Sequence, residues 1–154
     1  MCATKPVGGI YIHTIDPMPT ADKQSYGDAG ATKKLSVLVV DDNESSAKVT
    51  ALMVEVMGHT AKIAHCGSSA LEALEGFTPD IVVLDIGLPR MNGYELCETL
   101  RKDPRFDHTL FIAQTGWDGS EEREKSKAAG FHHHWVKPVD MQLFEKLFAE
   151  YKRP

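Results

Sequence analysis

The segment VLVVDDNESS, residues 37–46, joins an apolar run to two adjacent acids. Its first four residues favour β structure and are apolar, so they predict a buried strand. The run then stops at Asp41 and Asp42. Capping of a following helix needs only one side-chain oxygen, from Asp42 or from Asn43. Two carboxylates at the edge of a core repel each other and lose hydration, which makes a bound cation a candidate partner.

Apolar runs alternate with amphipathic segments from Leu35 onward. The predicted strands are LSVLVV (35–40), TAKIAH (60–65), DIVVLD (80–85), TLFIAQT (109–115) and HHHWV (132–136). Near-continuous apolar strands separated by helices are typical of a parallel sheet that is covered on both faces. The sequence therefore predicts a doubly wound, five-stranded α/β fold with right-handed crossovers.

Three of the intervening segments repeat apolar residues at helical spacing, which predicts the face that each helix buries. These residues are Val49, Leu52, Met53 and Val56 in the first helix, Ala70, Ala73, Leu74 and Phe77 in the second, and Phe144, Leu147, Phe148 and Tyr151 in the last. Segment 119–130 has no apolar residue larger than alanine, so a helix there is predicted to be the least stable. Asp118 and Glu121 have the spacing of a capping box at its start.

Composition restricts the class of protein. The chain has 154 residues, 42% of them hydrophobic, and a formal net charge of −5 without a Lys/Arg cluster, which argues against nucleic-acid binding. No apolar run approaches the roughly 20 residues needed to span a bilayer, and the N-terminus lacks a secretory signal. The cysteines are odd in number and far apart, as is typical of a reducing compartment. We expect one cytoplasmic domain over residues 34–154, which follows a disordered tail over residues 1–33 that contains several Pro and Gly residues.

Polar residues follow four of the five predicted strands. Asp41 and Asp42 come after the first strand, Asp85 ends the third, Thr115 the fourth, and Lys137 follows the fifth. Each alone has an ordinary explanation as a turn, a cap or a surface charge. However, ligands of doubly wound sheets bind at the carboxyl ends of the strands, where these five would converge. Together they suit phosphoryl transfer to a carboxylate: Asp85 is the candidate nucleophile, Asp42 and Asp85 with Asp41 behind them would hold Mg²⁺, and Thr115 and Lys137 would meet the phosphoryl oxygens.

These residues lie in segments that resemble the receiver domain of two-component response regulators. The resemblance covers about residues 35–152 and rests on VVDDN (39–43), VVLDIGLPRMNGYEL (82–96), IAQTGW (112–117) and VKPVD (136–140). The sequence of these segments is most similar to that of receivers of hybrid histidine kinases. The resemblance implies a flavodoxin-like fold with strand order 2-1-3-4-5 and a phosphoryl group accepted by Asp85 from a histidine kinase or histidine phosphotransfer protein. It further implies Mg²⁺ held by Asp41, Asp42, Asp85 and the backbone of Gly87, and a cis Lys137–Pro138 bond.

Three features depart from the family pattern. His134 stands three residues before Lys137, where relatives often have Tyr or Phe, so the candidate conformational switch is the pair Thr115 and His134. Gly87 and Gly116 stand where many relatives carry side chains, which predicts open access for water. The run His132–His134 cannot ligate one ion, because consecutive strand residues point to opposite faces, so packing and hydrogen bonding are expected there.

Two other functions remain open. A haloacid-dehalogenase-type phosphohydrolase also uses an aspartate nucleophile with Mg²⁺, Thr and Lys, but it resembles D-x-D at the nucleophile, whereas this chain has Asp85-Ile86-Gly87. Without the second carboxylate, efficient hydrolysis of external phosphoesters is not expected. An unphosphorylated scaffold would not need charged groups at the strand ends. The favoured prediction is a signalling domain that is not an enzyme beyond its own phosphorylation and dephosphorylation, and that signals to a protein partner by conformational change.

Overall fold

The computed structural model describes residues 33–153 and contains the predicted alternation of strands and helices. The strands are β1 Ser36–Val40, β2 Thr60–Ala64, β3 Ile81–Asp85, β4 Leu110–Thr115 and β5 His133–Val136. The helices are α1 Glu44–Val56, α2 Gly67–Ala73, α3 Gly93–Arg101, α4 Ser120–Ala129 and α5 Met141–Glu150, with a short 3₁₀ helix at Pro104–Phe106. The predicted disordered tail falls, Lys33 apart, outside the described residues.

The five strands form one parallel sheet in the order β2-β1-β3-β4-β5, which confirms the predicted topology. Asp85 pairs in register with Gln114, and Thr115 pairs with Val136. All carboxyl ends of a parallel sheet lie at the same edge, so this register brings the ends of β3, β4 and β5 side by side. The polar residues that follow the strands therefore meet at one edge of the sheet.

The strand residues alternate between two buried clusters, one on each face of the sheet. Leu38, Val40, Val82, Leu84 and Phe111 pack on the side of α2 and α3. Val37, Val39, Ile81, Val83 and Ile112 pack on the side of α1 and α5. Since successive strand residues point to opposite faces, a strand that is apolar throughout requires helices on both sides. The doubly wound architecture thus follows from the strand composition.

Helix α1 corrects one prediction, because the predicted apolar face is largely turned to solvent. Val49, Leu52 and Val56 are 53%, 58% and 67% exposed, while Met53 is partly buried. The helix instead buries Ala47, Thr50, Ala51 and Val54. Small side chains allow a helix backbone to approach the sheet closely, so a face rich in alanine can pack better than the face with larger residues. The apolar faces predicted for α2 and α5 are buried or partly buried against the core.

Helix α4 forms where it was predicted, but its start differs. It begins after Gly119, which has no side chain for capping, and Asp118 pairs instead with Arg123 at 2.6 Å. The capping box predicted for Asp118 and Glu121 is therefore wrong: the carboxylate is used by the arginine of the first turns. The helix buries Ser126 and Ala129 and ends at Gly130, whose φ of 101° is a left-handed conformation that favours glycine.

Among the described residues, no helix has both the length and the apolar character that would let it cross a membrane.

Candidate functional site

Three aspartates form an acidic cluster at the carboxyl edge of the sheet. Asp41 follows β1, Asp42 comes next, and Asp85 is the last residue of β3. One carboxylate oxygen from each lies within 4.8 Å of the others. Asp41 is fully buried, Asp85 is 9% exposed, and Asp42 is open to solvent. The predicted convergence of the strand ends is thus present in the structure for these three residues.

Lys137 inserts its ammonium group between two of these acids. Its Nζ donates to Oδ2 of Asp41 at 2.9 Å and to Oδ2 of Asp85 at 3.1 Å. Its backbone N–H donates to the carbonyl of Thr115 at 2.8 Å, and the following bond to Pro138 is cis, as the resemblance implies. Burial acts to lower the pKa of the Lys137 ammonium, but the bonds to both carboxylates outweigh it and raise the pKa. Lys137 therefore remains a cation at neutral pH.

Asp41 is an ionised, well-supported carboxylate. Burial acts to raise its pKa, but hydrogen bonds from Ser46, from Lys137 and from the backbone of Asn43 outweigh it and hold the pKa below its ordinary value. The Asn43 N–H donates to Oδ1 at 2.9 Å. The Asn43 side chain meanwhile caps α1 by accepting the N–H of Ser46. Asn43 therefore caps α1, and neither Asp41 nor Asp42 is needed for that role. Of the two explanations for the acidic pair, the bound cation is the one that remains.

Asp85 differs electrostatically from Asp41. Burial raises the pKa of its carboxyl group, and the hydrogen bonds from the Gly87 N–H and from Lys137 offset this only in part. The Gly87 N–H donates to Oδ1 at 3.0 Å, while Lys137 contacts Oδ2. The two oxygens therefore have different partners. An anion that is less stable here than in water is a poorly solvated, and hence more reactive, oxygen nucleophile.

Thr115 and His134 lie on the neighbouring strands β4 and β5. The Thr115 hydroxyl is buried and accepts the backbone N–H of Trp117 at 3.1 Å, within its own loop. His134 points toward α4, where its Nδ1 lies 2.8 Å from the hydroxyl of Ser126. The Nε2 atom of His134 is buried and has no hydrogen-bond partner among the described residues. In this state both switch candidates are bonded to groups outside the acidic cluster.

The neighbouring histidines are used for packing and hydrogen bonding. His132 accepts the N–H of Phe111 through Nδ1 at 2.9 Å. His133 is exposed and lies beside the ring of Trp135. Across the described part of the chain, the group of potential metal ligands that lie close enough together is the aspartate cluster, not the histidines. The hydrogen bond of His132 and the ring contact of His133 agree with the packing and hydrogen bonding expected for this run.

Three contributors to this edge were missed from the sequence. Ser46 helps to lower the pKa of the buried Asp41 carboxyl group, and the ring Nδ1–H of His65 donates to the carbonyl oxygen of Asp41 at 3.0 Å. Gln114 precedes Thr115 and is buried at 1% exposure. A polar residue inside an otherwise apolar strand was the available signal for Gln114. No sequence pattern pointed to Ser46 or His65, because their contacts depend on how the loops fold back.

The acidic cluster fits a hard divalent cation. Mg²⁺ prefers carboxylate and carbonyl oxygens and needs few protein ligands. One ammonium, that of Lys137, offsets the charge of only one of the three carboxylates, so the partly buried cluster retains an excess of negative charge. Exposed Asp42 leaves the cluster open to solvent on one side, which leaves room for the waters that Mg²⁺ keeps.

The model of the response regulator receiver domain family matches residues 37–149. This chain belongs to that family. The match covers the five strands except Ser36 at the start of β1 and ends within α5, and it contains each residue of the acidic cluster together with Lys137 and Thr115. Receiver domains are signalling domains of two-component systems, and they accept phosphoryl groups from histidine kinases or phosphotransfer proteins.

Curated relatives and solved structures agree with this assignment. The polar-differentiation response regulator DivK of Brucella ovis is 28% identical over 75% of this chain and 94% of its own length. The hybrid kinase BarA of Escherichia coli K12, a signal transduction histidine-protein kinase, is 28% identical over 77% of this chain but only 13% of its own length. A CheY-like receiver domain structure from Methanospirillum hungatei is 29% identical, with a TM-score of 0.68 over 76% of this chain and 93% of that one.

Proposed function

We propose that this receiver domain takes a phosphoryl group on Asp85 from the phosphohistidine of a histidine kinase or histidine phosphotransfer protein. The observation that supports this most directly is the ammonium of Lys137, held between Asp41 and Asp85 at 2.9 and 3.1 Å. A cation in contact with the nucleophile is already placed where the charge of the transferred group develops. The buried Asp41 keeps that cation in place when Asp85 changes charge.

In the transfer step, a carboxylate oxygen of Asp85 attacks phosphorus, an O–P bond forms, and the N–P bond to the donor imidazole breaks, which leaves a neutral histidine after protonation. Asp41, Asp42, Asp85 and the backbone of Gly87 are the residues that would hold Mg²⁺, which supplies positive charge to the phosphoryl oxygens. Lys137 keeps its bond to Asp41 and turns a remaining N–H toward the new phosphoryl group. Thr115 donates its hydroxyl hydrogen to another phosphoryl oxygen.

The donor protein docks on α1 and the segment after β5 in this proposal. A donor must bring its histidine to Asp85, so it has to cover the surface around that residue. The exposed residues Val49, Leu52 and Val56 form an apolar stripe along α1, which we call the α1 stripe. Such a stripe on a charged, soluble domain is typical of a surface that binds another protein. The α1 stripe, which the helical spacing predicted to be buried in the core, is therefore the candidate docking surface.

Phosphorylation is read out through Thr115 and His134. To reach a phosphoryl oxygen, the Thr115 hydroxyl turns away from the N–H of Trp117, and the loop that leads into α4 adjusts. His134 contacts Ser126 of α4, and α4 buries little apolar surface. A rearrangement of α4 and its preceding loop therefore costs little free energy. Amide hydrogen exchange with and without beryllofluoride and Mg²⁺ tests this. Altered protection across residues 117–136 is expected, whereas unchanged protection with the mimic bound would refute the switch.

Phosphorylation itself is tested by intact mass after incubation with acetyl phosphate and Mg²⁺. The wild-type chain should gain one phosphoryl group, and Asp85→Asn should gain none. Asp42→Ala should reduce the rate, because the metal loses a ligand, while Glu145→Gln serves as a control that removes an acid on α5, away from the cluster. Equal incorporation in wild type and Asp85→Asn would contradict the proposal. Sustained hydrolysis of p-nitrophenyl phosphate by the wild type would favour the phosphohydrolase instead.

A further inference from the structure

Large apolar side chains are exposed mainly at α1 and at the edge strand beside it. Of the six that are exposed among the described residues, three form the α1 stripe. A fourth, Ile63, lies on the edge strand β2, against which α1 packs. Ile63 points to the same face of the sheet as Val39, its partner in register, and that face is the one covered by α1. Apolar exposure is therefore concentrated on one side of the molecule.

The α1 stripe does not have the composition of a helix surface that only contacts water. Valine loses side-chain freedom in a helix, so the exposed Val49 and Val56 lower the intrinsic stability of α1. Lysine, glutamate or alanine at these positions would favour the helix more and would expose less apolar area. Contact with another molecule removes the apolar area from water, which favours a bound state of this surface.

The spacing along α1 is that of a helix that packs lengthwise against another helix. Ser45, Val49, Leu52 and Val56 are all exposed, and they follow one another at intervals of four, three and four residues. This is the a/d spacing of paired helices. The helix is held on the sheet by its opposite side, where the buried residues are Ala47, Thr50, Ala51 and Val54. The a/d positions of α1 are therefore free to contact a second helix.

Two opposite charges lie along one flank of the α1 stripe. Lys48 and Glu55 are seven residues apart and exposed, and neither forms an ion pair among the described residues. The other flank carries the uncharged Ser46 and Met53. When two such helices pair in antiparallel orientation, like flanks face each other, so Lys48 of one copy meets Glu55 of the other. In a parallel pair, both charges would face the uncharged flank. The charges of α1 are thus complementary to those of an antiparallel second copy.

We propose that the α1 stripe binds the α1 stripe of a second copy of this chain, with the two helices antiparallel and related by a twofold axis near Leu52. Leu52 packs against its own copy, and Val49 of one copy lies beside Val56 of the other. The twofold axis repeats the contact between Lys48 and Glu55, so each dimer contains two such ion pairs. The apolar stripe supplies the attraction, and the ion pairs fix the orientation.

The size of this contact predicts a weak dimer. One helix face presents far fewer than the roughly 20–30 residues a side of a standard interface, so we expect a Kd on the order of 0.1 mM. The phosphodonor is proposed to use the same surface, so the dimer and the donor complex exclude each other. The dimer depends only on α1 and does not rest on the proposed function.

Sedimentation equilibrium of the full chain in EDTA tests the dimer, at concentrations from about 10 µM to 1 mM that bracket the expected Kd. The wild type should show a monomer–dimer equilibrium. Leu52→Ser should raise the Kd about tenfold or more, because it removes the central contact. Leu143→Ser, the same change at an exposed leucine of α5, should leave the Kd unchanged. A wild type that stays monomeric throughout, or a dimer that Leu52→Ser weakens no more than Leu143→Ser does, would overturn the proposal.

Charge reversal tests the antiparallel orientation. Lys48→Glu and Glu55→Lys each place like charges opposite one another in the dimer, so each variant alone should show a Kd raised about tenfold at low ionic strength. An equal mixture of the two variants should associate with nearly the wild-type Kd, because each copy supplies the charge that the other lacks. The double variant should recover the wild-type Kd for the same reason. Both positions are exposed, and circular dichroism verifies that each variant is folded. A mixture that associates no better than the separate variants would overturn the proposal.

Discussion

Replacing Asp85 with asparagine is expected to stabilise the metal-free chain at neutral pH. The carboxylate is buried within 4.8 Å of oxygens from Asp41 and Asp42, and burial raises its pKa. A raised pKa means that the ionised form is less favourable in the folded chain than in the unfolded one. Asparagine has nearly the same shape and still accepts the Gly87 N–H through its carbonyl oxygen. The substitution therefore removes a destabilising charge and keeps the packing.

The expected gain in the free energy of unfolding of Asp85→Asn is the sum of opposing electrostatic contributions. The nearest carboxylate oxygens of Asp85 and Asp41 lie within 4.8 Å of each other, and repulsion at this limiting separation is about 3.5 kcal/mol at an effective dielectric constant of about 20. Repulsion by the exposed Asp42 is about 1 kcal/mol at the dielectric constant of water. Attraction to Lys137 at 3.1 Å is about 5 kcal/mol, which nearly cancels both. Desolvation of the carboxylate, several kcal/mol per ion, then decides the sign. We expect a gain of about 1–3 kcal/mol, or roughly 3–10 °C in Tm.

Thermal unfolding of wild type and Asp85→Asn in EDTA measures this difference, with Glu145→Gln as the control for a lost charge elsewhere. Because the folded pKa of Asp85 lies above its ordinary value of 3.8, the wild type loses stability as the pH rises through the folded pKa. The advantage of Asp85→Asn should be present at neutral pH and vanish as the pH falls toward 3.8. Mg²⁺ should stabilise the wild type more than the variant, since ligand binding adds to the stability of the folded state.

The reasoning is refuted if Asp85→Asn melts at or below the wild-type temperature in EDTA at neutral pH. Attraction to Lys137 would then exceed desolvation and repulsion together. An advantage that persists at pH values below the ordinary pKa of the carboxyl group would mean that packing, not charge, causes the effect.

Arg90 adopts φ of 68°, where a side chain is strained, so Arg90→Gly should gain about 0.5–1 kcal/mol in urea unfolding. A Cβ at Gly93 would lie 2.5 Å from the carbonyl oxygen of Asp85, so Gly93→Ala should cost about 1–3 kcal/mol and slow labelling by acetyl phosphate. A Cβ at Gly87 would meet Oδ1 of Asp85 at an ordinary 3.6 Å, so the position has room for a Cβ. Gly87→Val should slow loss of the phosphoryl group roughly threefold or more by restricting water, as followed by intact mass.

Each of these has a clear contrary result. If Arg90→Gly gains no stability, the entropy that glycine adds to the unfolded chain is at least as large as the strain that the substitution relieves. Wild-type stability of Gly93→Ala would show that the end of β3 moves aside without cost. A phosphoryl group that decays as fast in Gly87→Val as in the wild type would show that water does not approach past Gly87. Gly76→Val, at a position where a Cβ would meet no described neighbour within 4 Å, is the control for added volume away from the acidic cluster.

The strands and the acidic cluster could be predicted from local sequence because each depends on short-range patterns. An apolar run that stops at a polar residue defines both the strand and its carboxyl end. Parallel topology then brings those ends to one edge, so Asp41, Asp42 and Asp85 meet without any further information. Lys137 also arrives at this edge, because it follows β5 directly. The roles assigned to these residues stay predictions until phosphorylation and metal binding are measured.

The burial of α1 could not be predicted in the same way, because the helix has apolar residues on more than one side. Periodicity selected the face with the larger residues, whereas packing buried Ala47 and Ala51 and left the α1 stripe exposed. Which face is buried depends on how closely the helix approaches the sheet, which is a property of the whole core.

Sequence by itself determined the order of strands and helices, the fold class and the acidic residues at the strand ends, because hydrophobic periodicity and the chirality of crossovers act along short stretches of chain. Tertiary structure alone decided which partner each polar group finds. It placed Lys137 between Asp41 and Asp85, gave Asp118 to Arg123, tied His134 to Ser126, and left the amide of Gln114 without an acceptor. Hydrogen bonds and ion pairs require separations of about 3 Å, and such distances are set by the packing of segments that are remote in sequence.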